Sequence, residues 1–564
     1  MPLYIAKPMK PKAQMMKRIS SFLILVLAVF VLISFKKDPK DNAFEIAKNI
    51  DIFTSMYKEV NNYYVDEVNP NKIMRTGVDA MLKSLDPYTV FISEDQIEDY
   101  RTMTTGEYGG IGATVGTRNG KTLIIMPFED SPARKSGLKI GDEILQINEV
   151  KTQGKAQTDI SRLLKGQPGT EIELVIKRYG ASQTEKVKIK RERIKVNNVP
   201  FSDMVADGVG YIRLAEFTQG ASEGIRKALE DLKSKGAKSI ILDLRDNPGG
   251  LLHESVNICN LFLNKGLDVV FTKGKIAEWN KTYKSLRPAI DTEIPLVVLA
   301  NGRSASASEI VSGVIQDYDR GVLLGQRTFG KGLVQSTRPL SYNSQVKITV
   351  AKYYVPSGRC IQAIDYSNRD EDGKAAKIPD SLRRAFKTKG GRTVYDGAGL
   401  EPDVIVEKEN LSPIAQSLVS KNLIFEYANE YALKNTGIKP AKEFKMSDAE
   451  YQAFVTWVKT KDYAYTTEVE KSYQNLVEAA KKDKTYEQIQ NDLNALKNRI
   501  SKNKEADLIT FKNEIRELLE EEICARYYFE KGKVEARFDN DKEVQEAIKI
   551  LQSPERYKKI LGKK

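Results

Sequence analysis

The period of the apolar positions divides the chain. In FEIAKNIDIFTSMYKEVNNYYV, Phe44, Ile46, Ile50, Phe53 and Tyr57 recur at mixed three- and four-residue steps, which predicts an amphipathic helix. MLKSLDPYTVFI follows, and its Leu-Asp-Pro turn ends the helical pattern. Over 103–182 the pattern shortens to β-type segments separated by Gly and Asn-Gly turns. From about 190 to 408, strands alternate with amphipathic helices. GVGYIRLAEF, KSIILDLRDNPGG, PLVVLA and GVLLGQRTFGKG read as strands; ASEGIRKALEDLKSKG, ESVNICNLFLNKG and SASEIVSGVIQDYDRG read as helices. This is an α/β pattern, with its motif-bearing turns after strand ends, where α/β ligand sites usually form. Segment 363–395 reads as a loop insertion, and the chain beyond 410 as Lys/Glu-rich helices with no long heptad array. The expected organisation is an N-terminal segment 1–41, a helical segment 42–102, a small β domain 103–185, an α/β core 186–408 and a helical accessory region 409–564.

Length and composition narrow the class. A chain of 564 residues, 41% hydrophobic and 29% charged, is long enough for three or four globular domains. The net charge of +13 would suit nucleic acid or an anionic membrane. No basic stripe with interleaved aromatics accompanies it, and the C-terminal third mixes Lys with Glu, so nucleic acid is not expected as a partner. Cys259, Cys360 and Cys524 are far apart, with no metal-ligand spacing, so neither a disulfide framework nor a metal site is expected. KRISSFLILVLAVFVLISFKK places a basic flank before the apolar run Ile19–Phe35, which as a helix spans roughly 25 Å. It is longer than the usual apolar region of a signal peptide and is not followed by a small-x-small cleavage site. The expectation is an uncleaved signal anchor, with a cleaved signal peptide as the alternative.

The chemistry concentrates around NGRSASASEI, at a strand–turn–helix junction. Such a junction exposes a side chain beside unpaired helix N-terminal amides, as a serine nucleophile requires. Taken alone, Ser304, Ser306 and Ser308 fit helix capping better, Ser308 before Glu309 in particular. A nucleophile also needs a base, and the only histidine is His253. Lysine is the other option, once burial lowers its pKa from about 10.4. Lys331 in RTFGKGLVQ lies between two glycines among Phe329, Leu333 and Val334, unlike the lysines set among charges elsewhere.

Two resemblances join these pieces. SPARKSGLKIGDEILQINEV resembles the middle of a PDZ domain, with TDISRLLKG as its groove-lining helix. Such domains bind an extended peptide as an added strand and hold a C-terminal carboxylate on loop amides. The expected loop is Gly109, Gly110, Ile111 and Gly112, with Gly109 and Gly110 allowing close approach of the backbone N–H groups. DLRDNPGG, NGRSASASEI, RTFGKGLVQ and YYVPSGRCIQ then occur in that order. Over roughly residues 45–408 the chain resembles the C-terminal processing (tail-specific) peptidases, secreted or periplasmic Ser–Lys serine proteases. The resemblance implies a multidomain α/β plus β fold: an N-terminal helical segment, a PDZ-like domain, a ClpP/crotonase-like peptidase core and a C-terminal helical extension. It implies Ser306 as nucleophile and Lys331 as base, 25 residues apart as in the family, with Gln335 orienting the amine. It implies an oxyanion hole from the N–H of Ala307 and that of Gly249 or Gly250, a choice that stays open. Ser308 is then left as a helix cap and His253 without a catalytic role. Arg245 braces the glycine turn, links to the PDZ domain, or is a plain ion pair.

No metal or cofactor is implied. The implied partners are protein substrates with exposed, unstructured C-termini, the membrane through the N-terminal segment, and a homo-oligomer or adaptor. The implied location is the cell envelope or periplasm, with residues 19–35 in the inner membrane. The alternatives are a catalytically silent or partner-gated PDZ peptide-binding protein, a signalling protease with one substrate, and an acyl-CoA-handling enzyme.

Overall fold

The computed structural model describes residues 39–500 and 504–563. The apolar segment 19–35 lies outside them, and among the described residues no helix is long and apolar enough to cross a membrane. The amphipathic pattern at the N-terminus forms the helices Pro39–Tyr63 and Pro70–Lys83. Tyr57 donates its hydroxyl to Pro70 O at 2.7 Å, and Phe53, Met56, Val60 and Ile73 line a groove of about 540 Å³. These helices belong to a compact unit of their own.

The Leu-Asp-Pro turn leads into a short strand, Val90–Ile92, before helix resumes at Ile97–Thr105. The β domain that follows is an antiparallel sheet in the order Ala113–Arg118, Lys121–Pro127, Glu143–Ile147, Glu171–Lys177, Thr184–Lys190. Asn119 and Gly120, both at positive φ, make the tight first hairpin. In EIELVIK, Ile172, Leu174 and Ile176 alternate into the domain core, where Ile160 and Leu164 of helix Gln157–Leu164 meet them. The strands Glu107–Gly110 and Glu192–Lys195 pair with each other, so the domain leaves and rejoins the chain through one two-stranded stalk.

The α/β core is built on strands β1 (Phe201–Ala206), β2 (Val209–Arg213), β3 (Ser239–Asp243), β4 (Leu296–Ala300), β5 (Val322–Gly325) and β6 (Val404–Ile405). They lie side by side in that order, with β1 antiparallel to β2 and the rest parallel. SIILD and LVVLA are buried throughout because both faces of the sheet are covered. Ile240, Leu242, Leu296 and Val298 face helices α1 (Ala221–Ser234), α2 (Leu252–Phe262) and α3 (Ala307–Asp317). Ile241, Val297, Leu299 and Leu324 face the other way.

That second face is closed by the C-terminal region. The long helix α4 (Lys512–Arg537) delivers Val534; α5 (Lys542–Leu551) and α6 (Pro554–Ile560) follow, with Val544, Ala547 and Ile550 fully or nearly fully buried against the sheet. Phe538 packs edge-on to Tyr211 and tilted against Phe201, with ring centroids 5.1 and 5.4 Å away. Arg245 joins the same layer: it pairs with Asp243 at the end of β3 and with Asp541 at 2.9 Å and Glu543 of α5. Its link is therefore to the C-terminal helices and not to the PDZ-like domain. Earlier helices of that region hold the β domain, where the Phe425 ring meets the guanidinium groups of Arg118 and Arg526, 5.1 and 4.2 Å from its centre, and packs with Leu123 and Ile140. Segment 363–395 is not an open loop but two small antiparallel pairs, Ile364–Arg369 with Ala375–Lys377 and Ala385–Lys387 with Thr393–Tyr395.

If the C-terminal helices are the second layer of the core, Phe538→Ala should destabilise the α/β unit by about 3–5 kcal/mol. Chemical denaturation followed by far-UV circular dichroism reads this; an unchanged midpoint would show the layer to be dispensable.

Candidate active site

The three serines of NGRSASASEI have different environments. Ser304 is buried and donates its hydroxyl to Leu244 O at 2.8 Å; Ser308 is buried and donates to Asn247 O at 2.9 Å. Both tie the helix start to the β3 end. Ser306, half-buried, occupies the N-cap of α3 with φ 55° and ψ −112°. The cap is thus Ser306, and Ser308 lies inside the first turn, contrary to expectation. Ser306 has the non-helical backbone of a cap, whereas the Ser308 hydroxyl is already committed to the buried Asn247 carbonyl. Among the described residues the Ser306 hydroxyl donates to no protein acceptor.

A positive φ at a non-glycine residue is strained and needs support. Ser306 N–H donates to Glu309 Oε2 at 2.9 Å, and its carbonyl accepts from the Tyr353 hydroxyl at 3.1 Å and Ile310 N–H at 2.9 Å. The same Glu309 Oε2 accepts the Lys331 N–H at 2.9 Å. Its Oε1 accepts Gly330 N–H at 2.7 Å and the Thr328 hydroxyl at 2.6 Å. One fully buried carboxylate therefore holds the backbone of both the serine turn and the lysine loop. Burial pushes the Glu309 pKa up, and these four donors oppose it. Thr328 Oγ1 already accepts from Leu400 N at 2.7 Å, so its proton is committed to Glu309. With only donors around it, the site fits the ionised form.

Lys331 is half-buried, and burial lowers its amine to about 8. Lys347 adds to the shift, and Glu309 and Asp86 oppose it. Its Nζ lies 4.3 Å from the centre of the Tyr88 ring and forms no hydrogen bond or ion pair among the described residues. Gln335 sits on strand Leu333–Pro339, at a bulge in its pairing with Gln345–Tyr354, and donates Nε2 to Thr349 Oγ1 at 3.1 Å. Within this structure no hydrogen bond joins it to Lys331.

The glycine turn abuts the serine. A Cβ on Gly249 would fall 2.9 Å from Ser306 Cβ and 2.8 Å from Ala307 N, and one on Gly250 would fall 2.4 Å from Phe217 O. Gly249 N–H donates to Asn247 Oδ1 at 2.9 Å. The N–H groups of Gly250 and Ala307 have no acceptor among the described residues. Asn247, fully buried, also donates to Leu214 O at 2.8 Å and receives the Ala305 N–H at 3.1 Å. His253 is exposed, 3.7 Å from Glu254. Glu309 and Asn247 are the supports that the sequence reading missed as site residues. Ser306-x-x-Glu309 has capping-box spacing, which was the available signal for Glu309.

In the β domain, Gly109 and Gly110 are strand residues of the stalk. A Cβ on Gly109 would fall 2.0 Å from the backbone Gly166 O, so packing demands that glycine, whereas one on Gly110 would fall 2.7 Å from the Tyr108 side chain, which would have to shift. The N–H groups of Ile111 and Gly112 have no acceptor among the described residues. Strand Ala113–Arg118 is one of the two edge strands of the sheet, the one beside helix Gln157–Leu164. Its Val115 carbonyl accepts Gln157 Nε2 at 2.7 Å, and the Thr117 hydroxyl donates to Gln157 Oε1 at 3.1 Å, so the groove is bridged from its flanking helix.

Comparison with known proteins identifies this arrangement. A family model described as peptidase family S41 matches residues 208–367, a PDZ domain model matches 129–178, and a model described as probable PDZ-protease, C-terminal helical domain, matches 414–551. The chain has the fold of a serine-type peptidase carrying a PDZ domain and a C-terminal helical domain. A carboxy-terminal-processing protease of Bartonella bacilliformis is 36% identical over 321 residues, 56% of this chain and 73% of that protein. A probable CtpA-like serine protease of Staphylococcus aureus is 35% identical over 316 residues, 56% of this chain and 62% of that protein. The solved structure of photosystem II D1 C-terminal processing protease shares 28% identity, covering 64% of this chain and 93% of that chain, with a TM-score of 0.34. The chain belongs to the carboxy-terminal-processing protease family.

Glu309→Gln would set an amide N–H₂ against N–H donors. It should reduce peptidase activity at least about 100-fold and cost roughly 1–3 kcal/mol of stability. Assay of a peptide substrate beside a thermal melt checks this; near-normal activity would contradict it.

Proposed function

We propose that this chain is an exported endopeptidase that captures the C-terminal tails of protein substrates in its PDZ groove and cuts them through a Ser306–Lys331 acyl-enzyme mechanism. The observation that carries the reading is the Glu309 carboxylate shared by the Ser306 and Lys331 backbones. A tail adds as a strand to the edge strand Ala113–Arg118, displacing Gln157 from Val115, with its terminal carboxylate at the N–H groups of Ile111 and Gly112. Tethering raises its effective concentration near Ser306.

Ser306 Oγ then attacks the scissile carbonyl carbon while the neutral Lys331 amine takes its proton. The oxyanion is held by the N–H groups of Gly250 and Ala307; the occupied N–H of Gly249 favours Gly250 over its neighbour. Collapse breaks the C–N bond, and Lys331 returns its proton to the leaving amine. Water, deprotonated by Lys331, hydrolyses the ester. Gln335 orients the lysine once its amide turns from Thr349. No step calls on a metal or cofactor. The basic flank and apolar run 19–35 support export to the cell envelope, with that segment as anchor. The job of the protein inside that compartment is trimming of unstructured tails.

The test is cleavage of an unfolded reporter with an apolar C-terminus by the full chain and its variants. Ser306→Ala and Lys331→Ala should each lose about 10³–10⁴-fold or more, and His253→Ala should cut normally. Inactivity of His253→Ala alone would overturn the base assignment; indifference to Ser306→Ala would overturn the nucleophile. Because a base must be unprotonated to act, kcat/KM should fall about tenfold per pH unit below a limb near 8. A rate independent of pH between 6 and 9 would contradict a lysine base.

A further inference from the structure

The Asp-Pro turn at residues 86–89 has so far served only to end a helix, yet it is built with unusual care. Asp86 is buried, and its carboxylate accepts the N–H of Tyr88 at 2.8 Å, the N–H of Thr89 at 2.7 Å and the Thr89 hydroxyl at 3.0 Å. The turn is pinned to the strand beside the site: Val90 pairs opposite Lys347, and Thr349 N–H donates to Thr89 Oγ1 at 3.2 Å. Tyr366 packs edge-on against Tyr88, with centroids 6.2 Å apart. The result is a fixed aromatic face, 4.3 Å from Lys331 Nζ. Thr349, the hydroxyl that receives Gln335 Nε2, also contacts Thr89 Oγ1 at 3.4 Å, so one turn touches the surroundings of both Lys331 and Gln335.

We propose that Tyr88 is a positioning residue for the base: its ring holds the Lys331 ammonium in a waiting orientation, from which the amine moves to Ser306 and Gln335 when a substrate enters. This rests on the Ser306–Lys331 reading. The negative face of an aromatic ring attracts a cation and gives the neutral amine no comparable benefit. The other groups facing Lys331 are Asp86 on the same turn, Glu309 on α3 and Lys347 on strand Gln345–Tyr354. Tyr353 of that strand lies at the Ser306 carbonyl, facing Glu309. Of these, Tyr88 alone presents a ring to the ammonium. Removing the ring while keeping apolar bulk therefore favours the neutral amine, and the acid limb of the pH–rate profile moves to lower pH.

The experiment compares kcat/KM against pH for the full-length wild type, Tyr88→Phe, Tyr88→Leu and Lys331→Ala on one peptide. Tyr88→Phe should keep the wild-type limb, and Tyr88→Leu should move it down by roughly one pH unit. An unshifted limb in Tyr88→Leu, or an equal shift in Tyr88→Phe, overturns the proposal while Lys331→Ala remains inactive. Activity in Lys331→Ala overturns the base assignment instead. Should Tyr88→Leu not fold, Tyr88→Met carries the same comparison. The pH dependence of Lys331 modification by trinitrobenzenesulfonate, read by mass spectrometry, must show the same displacement in the variant; an identical titration to wild type overturns the proposal.

Discussion

A single buried carboxylate ties the two halves of the candidate catalytic pair together. Glu309 brings no reacting atom, yet its two oxygens organise the N-cap of α3 and the loop that carries Lys331. Burying a charge is expensive, and the arrangement answers that cost with four donors, three of them the backbone amides of Ser306, Gly330 and Lys331. The same bonds support the strained φ of Ser306. Were the carboxylate absent, the serine turn would lose one of its restraints, and the lysine loop would stay joined to it through Tyr353 and the bond between Phe329 N–H and Ser304 O. This explains why a Glu falls three residues after the serine, where a capping box alone would tolerate Gln.

The remaining layers keep that pair in place. α1, α2 and α3 cover one sheet face, and the last helices of the chain cover the other, so strands that read as uniformly apolar in fact alternate between two different cores. Arg245 extends the second core to the glycine turn through Asp243, Asp541 and Glu543. Asn247 closes the turn from within, consuming the N–H of Gly249, while that of Gly250 has no acceptor among the described residues. The C-terminal region also holds the PDZ domain through Phe425 and the two arginines at its ring. The groove and the α/β core are thus fixed to a common frame.

Much of this was legible in the sequence where one period or one motif determined the outcome. The alternation of EIELVIK, the uniform strands SIILD and LVVLA, and the order of the family motifs pointed to the fold class and to a serine-type peptidase. What was not legible depended on partners distant in sequence. Ser308 reads as a cap until the Asn247 carbonyl, 61 positions away, is seen to take its hydroxyl. The need for glycine at position 109 also depends on a distant partner, the Gly166 carbonyl, which a side chain there would strike. The Lys/Glu surface of the C-terminal helices hid the buried stripe Val544, Ala547, Ile548 and Leu551 that completes the core. Segment 363–395 lacked a strong period because its strands are only three to six residues long.

The central claim is that Ser306 is activated by Lys331 within one assembled unit. The most direct measurement is covalent labelling of the full chain by a fluorophosphonate, with the modified residue mapped by mass spectrometry and the rate followed against pH. The account predicts a single label on Ser306, a rate that falls below pH about 8, and no labelling in Lys331→Ala. A label on another serine, or equal labelling of Ser306 when Lys331 is absent, would contradict it.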